Sequence, residues 1–199
     1  MKFNFYEKLL INIRNEDRKM IFFGHLGITT GAFKIYEKVF YKERDLSSKA
    51  LIDYRVVLVG AVLPDLIDKP IGAYLFRSTF HNSRIFAHTL TFSVILIFIG
   101  LYRLFKHSKD NILILGLCTS IHLILDSMWL YPGILLWPYY GLRFPQRAEG
   151  NWLNSDIIRL VADPSYYLPE IIGFAIIAYC FWPLVKDRQI KSFISRGKL

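Results

Sequence analysis

Apolar positions gather in five stretches. The first is Met20 to Phe33 (MIFFGHLGITTGAF), the second Tyr54 to Phe76 (YRVVLVGAVLPDLIDKPIGAYLF), and the third Ile85 to Phe105, centred on LTFSVILIFIGLY. The fourth is Ile112 to Tyr131 (ILILGLCTSIHLILDSMWLY), and the fifth runs from Pro164 to Val185 around IIGFAIIAYCFW. No alternation of period two with hairpin turns competes, so the predicted class is all-α. A bilayer core of about 30 Å needs about 20 mostly apolar residues as helix. The last three stretches meet that length, so the pattern predicts a polytopic membrane bundle of four to five helices. The second stretch holds Pro64 and Pro70 among Asp65, Asp68 and Lys69. Because proline removes a helix donor and clashes with the preceding turn, an interrupted helix is expected there.

Outside these stretches, residues 1–19 can form an amphipathic interfacial helix with Phe5, Leu9, Leu10 and Ile13 on one side. They are rich in charge of both signs and do not read as a signal peptide. Residues 20–185 form the membrane domain and 186–199 a basic polar tail. The segment from Tyr131 to Pro145 (YPGILLWPYYGLRFP) is aromatic and broken by Pro and Gly. It reads as an interfacial or re-entrant loop, with Trp129, Trp137, Tyr139 and Tyr140 at headgroup level.

Composition sharpens this reading. The 199 residues are 53% hydrophobic, which excludes intrinsic disorder, yet 21% are charged and the formal net charge is +9. A basic balance can serve nucleic acid, an anionic membrane surface or an anionic substrate. No nucleic-acid motif appears, so membrane lipids are the expected partners. Cys118 and Cys180 lie inside apolar runs and read as small buried hydrophobes. If the first stretch does not span, the positive-inside rule puts both termini in the cytoplasm and the polar site toward the outer leaflet. His25 would reach that depth more easily if the stretch did span with the N-terminus outside.

Ionisable residues inside apolar spans are costly, and by default functional. Here they are His25, Asp65, Asp68, His88, His122 and Asp126. His122 and Asp126 are four apart, which places both on one helix face, where two ligands can grip one cation. A buried His–Asp hydrogen bond gives the same spacing. Arg84 and His88 repeat it at the start of the third helix, where His88 can ligate and Arg84 can hold an anionic oxygen; an interfacial Arg beside a structural His fits equally. Asp65 can ligate or cap a helix, and Asp68 can ligate or pair with Lys69. His25 alone reads as a structural histidine. His81 and His107 read as exposed loop residues. In an alternating bundle, Asp65, Asp68, His88, His122 and Asp126 converge near one membrane face. Carboxylates with imidazoles suit Zn, with Mn or Mg as alternatives.

The same residues carry a family resemblance. GHLGITTGA around His25, GAVLPDLIDKP around Asp65 and Asp68, SRIFAHTLTF around Arg84 and His88, IHLILDSMW around His122 and Asp126, and ILLWPYYG around Trp137 occur in that order. They resemble the YdjM-type inner-membrane metal-dependent hydrolase family. The resemblance implies a multi-spanning helical protein of the inner membrane whose His and Asp residues hold a catalytic divalent metal. Two features depart from the family pattern. The acids are spaced Asp-x-x-Asp rather than Asp-x-Asp, which weakens Asp68 as a ligand relative to Asp65. Ser83 and Thr89 also stand where the family often has His and Ser.

The combined reading is an integral membrane hydrolase. His25, Asp65, His88, His122 and Asp126 are its metal ligands, Asp68 a ligand or general base, and Arg84 the anion-holding group. Its substrate would be an amphipathic or lipid ester or phosphoester. Two rivals remain: a small transporter using the buried His and Asp as a proton relay, and a non-catalytic membrane scaffold.

Overall fold

The computed structural model describes residues 20–41, 52–145 and 162–199. The amphipathic helix expected over residues 1–19 lies outside them. Among the described residues there are helices and no strands. They are α1 (Phe23–Tyr41), α2 (Tyr54–Asp68), α3 (Arg77–Phe80), α4 (Leu90–His107), α5 (Asn111–Leu125), α6 (Pro132–Leu135), α7 (Pro164–Lys186) and α8 (Ile190–Arg196).

Two sequence expectations shift by a few residues. The interruption in the second stretch does not fall at Pro64, which sits inside α2. It falls after Asp68, where the chain widens into π-helical turns over Lys69–Leu75 with Pro70 in the first of them. Nor does the third helix begin at Arg84. Residues 81–89 are not helical, and α4 starts only after Thr89, whose Oγ1 accepts the Phe92 N–H at 3.1 Å. The four-residue spacing of Arg84 and His88 is therefore that of a loop, not of one helix face.

Of the four to five spanning helices expected, two meet the length and hydropathy of a span. Among the described residues, only α4 and α7 combine the length and hydropathy to cross a membrane; α5 is apolar but has 15 residues. At about 1.5 Å per residue α5 reaches roughly 22 Å, short of a bilayer core. Just 11% of each of the two long apolar helices is buried within the protein. Ile95, Phe98, Ile99 and Phe105 of α4, and Ile171, Phe174, Tyr179 and Trp182 of α7, face outward. Helices this apolar on their outer faces match a lipid surround rather than water.

Glycines fix the register of the helices. A Cβ on Gly100 would overlap the backbone of Leu113, and one on Gly116 would crowd Ile97, so α4 and α5 form a tight antiparallel hairpin. Gly60 faces Cys118 and Ala61 faces His122, so α2 and α5 run in the same direction. Gly24 lies against Glu170, Gly27 against Gly173 and Gly31 against Ile176, so α1 and α7 are also parallel. Helix α1 runs opposite to α5. His25, near its start, stacks on His122 near the end of α5, while Phe33 joins Tyr54, Val57, Ile114 and Cys118 in the core at the other end. Both cysteines are free thiols, Cys118 fully buried as expected.

These directions give the bundle two polar ends. One collects the start of α1, the ends of α2 and α5, and the approach to α4. The other holds Lys34, Arg55 and the residues after α7. The aromatic segment folds over the first end, where Trp137 stacks on Phe144 and Thr91 Oγ1 donates to the Trp137 carbonyl at 2.7 Å. Trp129, Tyr139 and Tyr140 point outward, but Trp137 packs inward against Phe86.

Candidate metal centre

Four elements bring His25, Asp65, Asp68, Arg84, His88, His122 and Asp126 to the first end. His25 stands in the first turn of α1. Asp65 and Asp68 occupy the last turn of α2. His88 ends the loop that the widened turns after α2 lead into. His122 lies in the last turn of α5, and Asp126 caps that helix, its N–H donating to the His122 carbonyl at 2.9 Å. The three histidines and Asp68 are fully buried, and Asp126 is nearly so.

Asp68 does not face the centre. Its carboxylate accepts the backbone N–H groups of Ile85 (2.8 Å), Ala87 (3.0 Å) and His88 (3.0 Å), and lies 2.7 Å from His88 Nδ1. Four donors fill its acceptor sites and tie the loop to the end of α2. The distinction from Asp65, three residues earlier, is complete. Asp65 sends Oδ2 to Lys69 Nζ (2.7 Å) and leaves Oδ1 3.5 Å from His88 Nε2.

The two inner histidines are aimed alike. His88 Nδ1 meets a carboxylate. His122 Nδ1 lies 2.8 Å from the Ala61 carbonyl, which can only accept. Each neutral ring therefore carries its proton on Nδ1, a tautomer inferred from its partners. Both Nε2 lone pairs then face inward, 3.4 Å apart. Asp65 Oδ1 and Asp126 Oδ2 complete the ring, the latter 3.7 Å from His88 Nε2 and 3.9 Å from His122 Nε2. Two imidazole nitrogens and two carboxylate oxygens thus converge on one spot, a donor set that could hold a cation.

His25 is held differently. Its ring stacks on His122 with centroids 4.0 Å apart, and its Nε2 lies 3.2 Å from the Met20 carbonyl and 3.3 Å from Asp126 Oδ1. Asp126 Oδ1 and His25 Nδ1 are buried without a hydrogen-bond partner among the described residues. Arg84 Nη2 grips the other oxygen of Asp126 at 2.6 Å, and its guanidinium lies over the Tyr131 ring. The potential ligands form two overlapping groups, His25–His122–Asp126 and Asp65–His88–His122, with ligand atoms within 4.8 Å in each. His81, expected to be exposed, is half-buried at the end of α3, and His107 is exposed.

Two contributors were absent from the sequence reading. Asn82 holds the Arg84 N–H through Oδ1 (3.0 Å) and donates Nδ2 to the Pro145 carbonyl (2.8 Å), fastening the arginine loop to the aromatic segment. Glu170 on α7 accepts backbone N–H groups at the start of α1. The signal for Glu170 was present: a lone carboxylate in an apolar run, and a first helix with no capping residue before it.

Comparison with curated proteins and with solved structures returns no match. The profile of the YdjM inner membrane protein family matches residues 20–194, a span that includes every residue of the centre. With its apolar outer helices and its buried histidines and aspartates, the chain belongs to the YdjM inner membrane protein family.

Proposed function

We propose that the centre holds one divalent metal, with Zn the best fit, and that the protein is a membrane-embedded hydrolase. The carrying observation is the pair of imidazole Nε2 atoms 3.4 Å apart, each turned inward by an acceptor on its Nδ1. Metal-ligating histidines characteristically donate their other N–H to a carboxylate or carbonyl. Asp65, His88, His122 and Asp126 are the ligands, and His25 joins them by giving up its contact with the Met20 carbonyl. Asp68 is not a ligand in this reading but the group that aims His88.

A divalent ion there acidifies water and polarises an ester or phosphoester oxygen. Arg84, fixed on Asp126, presents positive charge beside the ligands and steadies an anionic oxygen of the substrate. A centre at one end of a bundle with lipid-facing helices favours an amphipathic substrate, a lipid ester or phosphoester. In this reading α1, α2 and α5 cross with α4 and α7, the short helices being lengthened by the turns that follow them.

The test is metal analysis of the detergent-purified protein. About one equivalent of divalent metal is expected, and none in the His122→Ala, Asp126→Ala variant. A wild type without stoichiometric metal, or a double variant that keeps it, ends the proposal.

A further inference from the structure

Helix α1 begins without a cap of its own. The residues before it, Met20, Ile21 and Phe22, offer no side-chain acceptor for the first N–H groups, which have no partner within the helix. The acceptor comes instead from α7. Glu170 Oε1 takes the Ile21 N–H at 2.7 Å and the Gly24 N–H at 3.3 Å, Oε2 takes the Phe23 N–H at 2.7 Å, and both oxygens approach the Phe22 N–H. One carboxylate thus gathers four consecutive amides where the helix dipole is positive. The next residue in the chain is His25.

The contact has a built register. A Cβ on Gly27 would overlap the backbone of Gly173, and one on Gly173 the backbone of Phe23 and Gly24, so the helices touch directly one turn beyond the clamp. Phe23 sets its ring edge-to-face on Phe174 at 5.4 Å. Met20, whose carbonyl meets His25 Nε2 at 3.2 Å, immediately precedes the clamped residues. The carboxylate therefore fixes both the first turn that carries the His25 ring and the segment that supplies the ring's backbone partner.

We propose that Glu170 is a positioning residue for His25: from α7 it sets the first turn of α1 and with it the aim of the imidazole at Asp126 and His122. The proposal rests on the metal reading for its consequence, though not for its geometry. The contact gives the lipid-facing helix α7, which supplies none of the ligands, a direct hold on the centre.

The experiment uses the full-length protein in detergent, stripped of metal and titrated with Co²⁺, whose visible bands report the ligand set. Glu170→Ala is expected to lower Co²⁺ affinity about tenfold or more and to alter the bands, as outer partners of ligands typically do. Glu170→Gln, which keeps one carbonyl oxygen as acceptor, falls between. His25→Ala lowers affinity similarly, and adding Glu170→Ala to it costs nothing further, because both act through one side chain. A purely structural role predicts losses that add, and that result overturns the proposal, as does a Glu170→Ala protein with unchanged affinity and bands. Should Glu170→Ala fail to fold, Glu170→Gln carries the comparison. If the wild type binds no Co²⁺, the metal reading fails on its own. The clamp is then judged by the His25 imidazole NMR signals in the metal-free protein. A shift in Glu170→Gln sustains it, and unchanged signals refute it.

Discussion

The two polar ends of the bundle use the same residue types to opposite effect. At the end away from the centre, Asp53 caps α2 and meets Arg55, whose Nη1 also donates to the Ile194 carbonyl at 2.6 Å. Lys34 Nζ reaches the Leu199 carbonyl at 2.6 Å and Glu37 at 3.3 Å, and Glu37 accepts the Tyr54 hydroxyl at 2.8 Å. Each of these four charges has an opposite, and the groups hold the chain after α7 against the start of α2 and the second half of α1. At the centre, two imidazole nitrogens face each other and a buried carboxylate oxygen lacks a hydrogen bond. Buried polar groups are nearly always satisfied, so a cluster that fails the rule in several atoms at once marks a candidate ligand site. Residue type alone does not separate structure from function here; completeness of pairing does.

Removing the latch beneath the centre should break the contrast most sharply. Asp68→Ala strands three backbone N–H groups and one imidazole N–H in a buried setting, at about 1–3 kcal/mol for each unsatisfied donor. A large fall in Tm in detergent is expected, with a loss of metal affinity of about 10–100-fold because His88 is no longer aimed. Asp68→Asn, which keeps an acceptor oxygen, should lose less of both.

Acid should empty the centre while sparing the other end. Ligating imidazoles must be neutral, so metal retention should fall as pH drops through the ordinary histidine range near about 6.5. Dialysis at pH 5 and pH 7.5, followed by metal analysis and circular dichroism, should show metal lost and helix retained. Gly173→Val comes next. Its branched side chain meets the Phe23 and Gly24 backbone, and overpacking of this kind costs about 1–3 kcal/mol, visible in the thermal melt.

The smallest effect belongs to Arg55→Ala at the far end. The Arg55 guanidinium beside Asp53 holds that carboxyl below the usual carboxylate range. A lowered folded-state pKa adds stability above the ordinary Asp pKa and loses it as pH falls below that value. Arg55→Ala should therefore narrow the stability gap between neutral and acidic pH slightly, with metal content unchanged. An exposed pair of this kind contributes little.

Much of the centre was legible in the chain because its candidate ligands are the wrong residues for an apolar stretch. His25, Asp65, His88, His122 and Asp126 stood out by that test, and the structure gathers them. The roles of Asp65 and Asp68 were not legible, since both are acids three residues apart beside a proline. Asp68 turns away only because residues 85–88 unwind and aim their N–H groups at it, a fact of tertiary placement. The break after Asp68 was foreseen as a proline effect, but not which of the two prolines would carry it. Pro64 lies within α2, whereas Pro70 opens the widened turns. Helix lengths were the weakest inference, because apolar runs such as Ile85 to Phe105 continue through loops that pack as well as helices do. The partnership of α1 with α7 joins segments about 150 positions apart and has no local signature beyond glycines and one glutamate.

The pairing of Lys69 with Asp65 and of Arg84 with Asp126 has a consequence for electroneutrality. Three carboxylates (Asp65, Asp68, Asp126) against these two cations leave the centre with one net negative charge when its histidines are neutral. A monovalent cation would cancel that charge, whereas a dication would reverse its sign. The loaded centre would then carry a surplus positive charge in a low-dielectric setting, which an anionic guest is best suited to cancel.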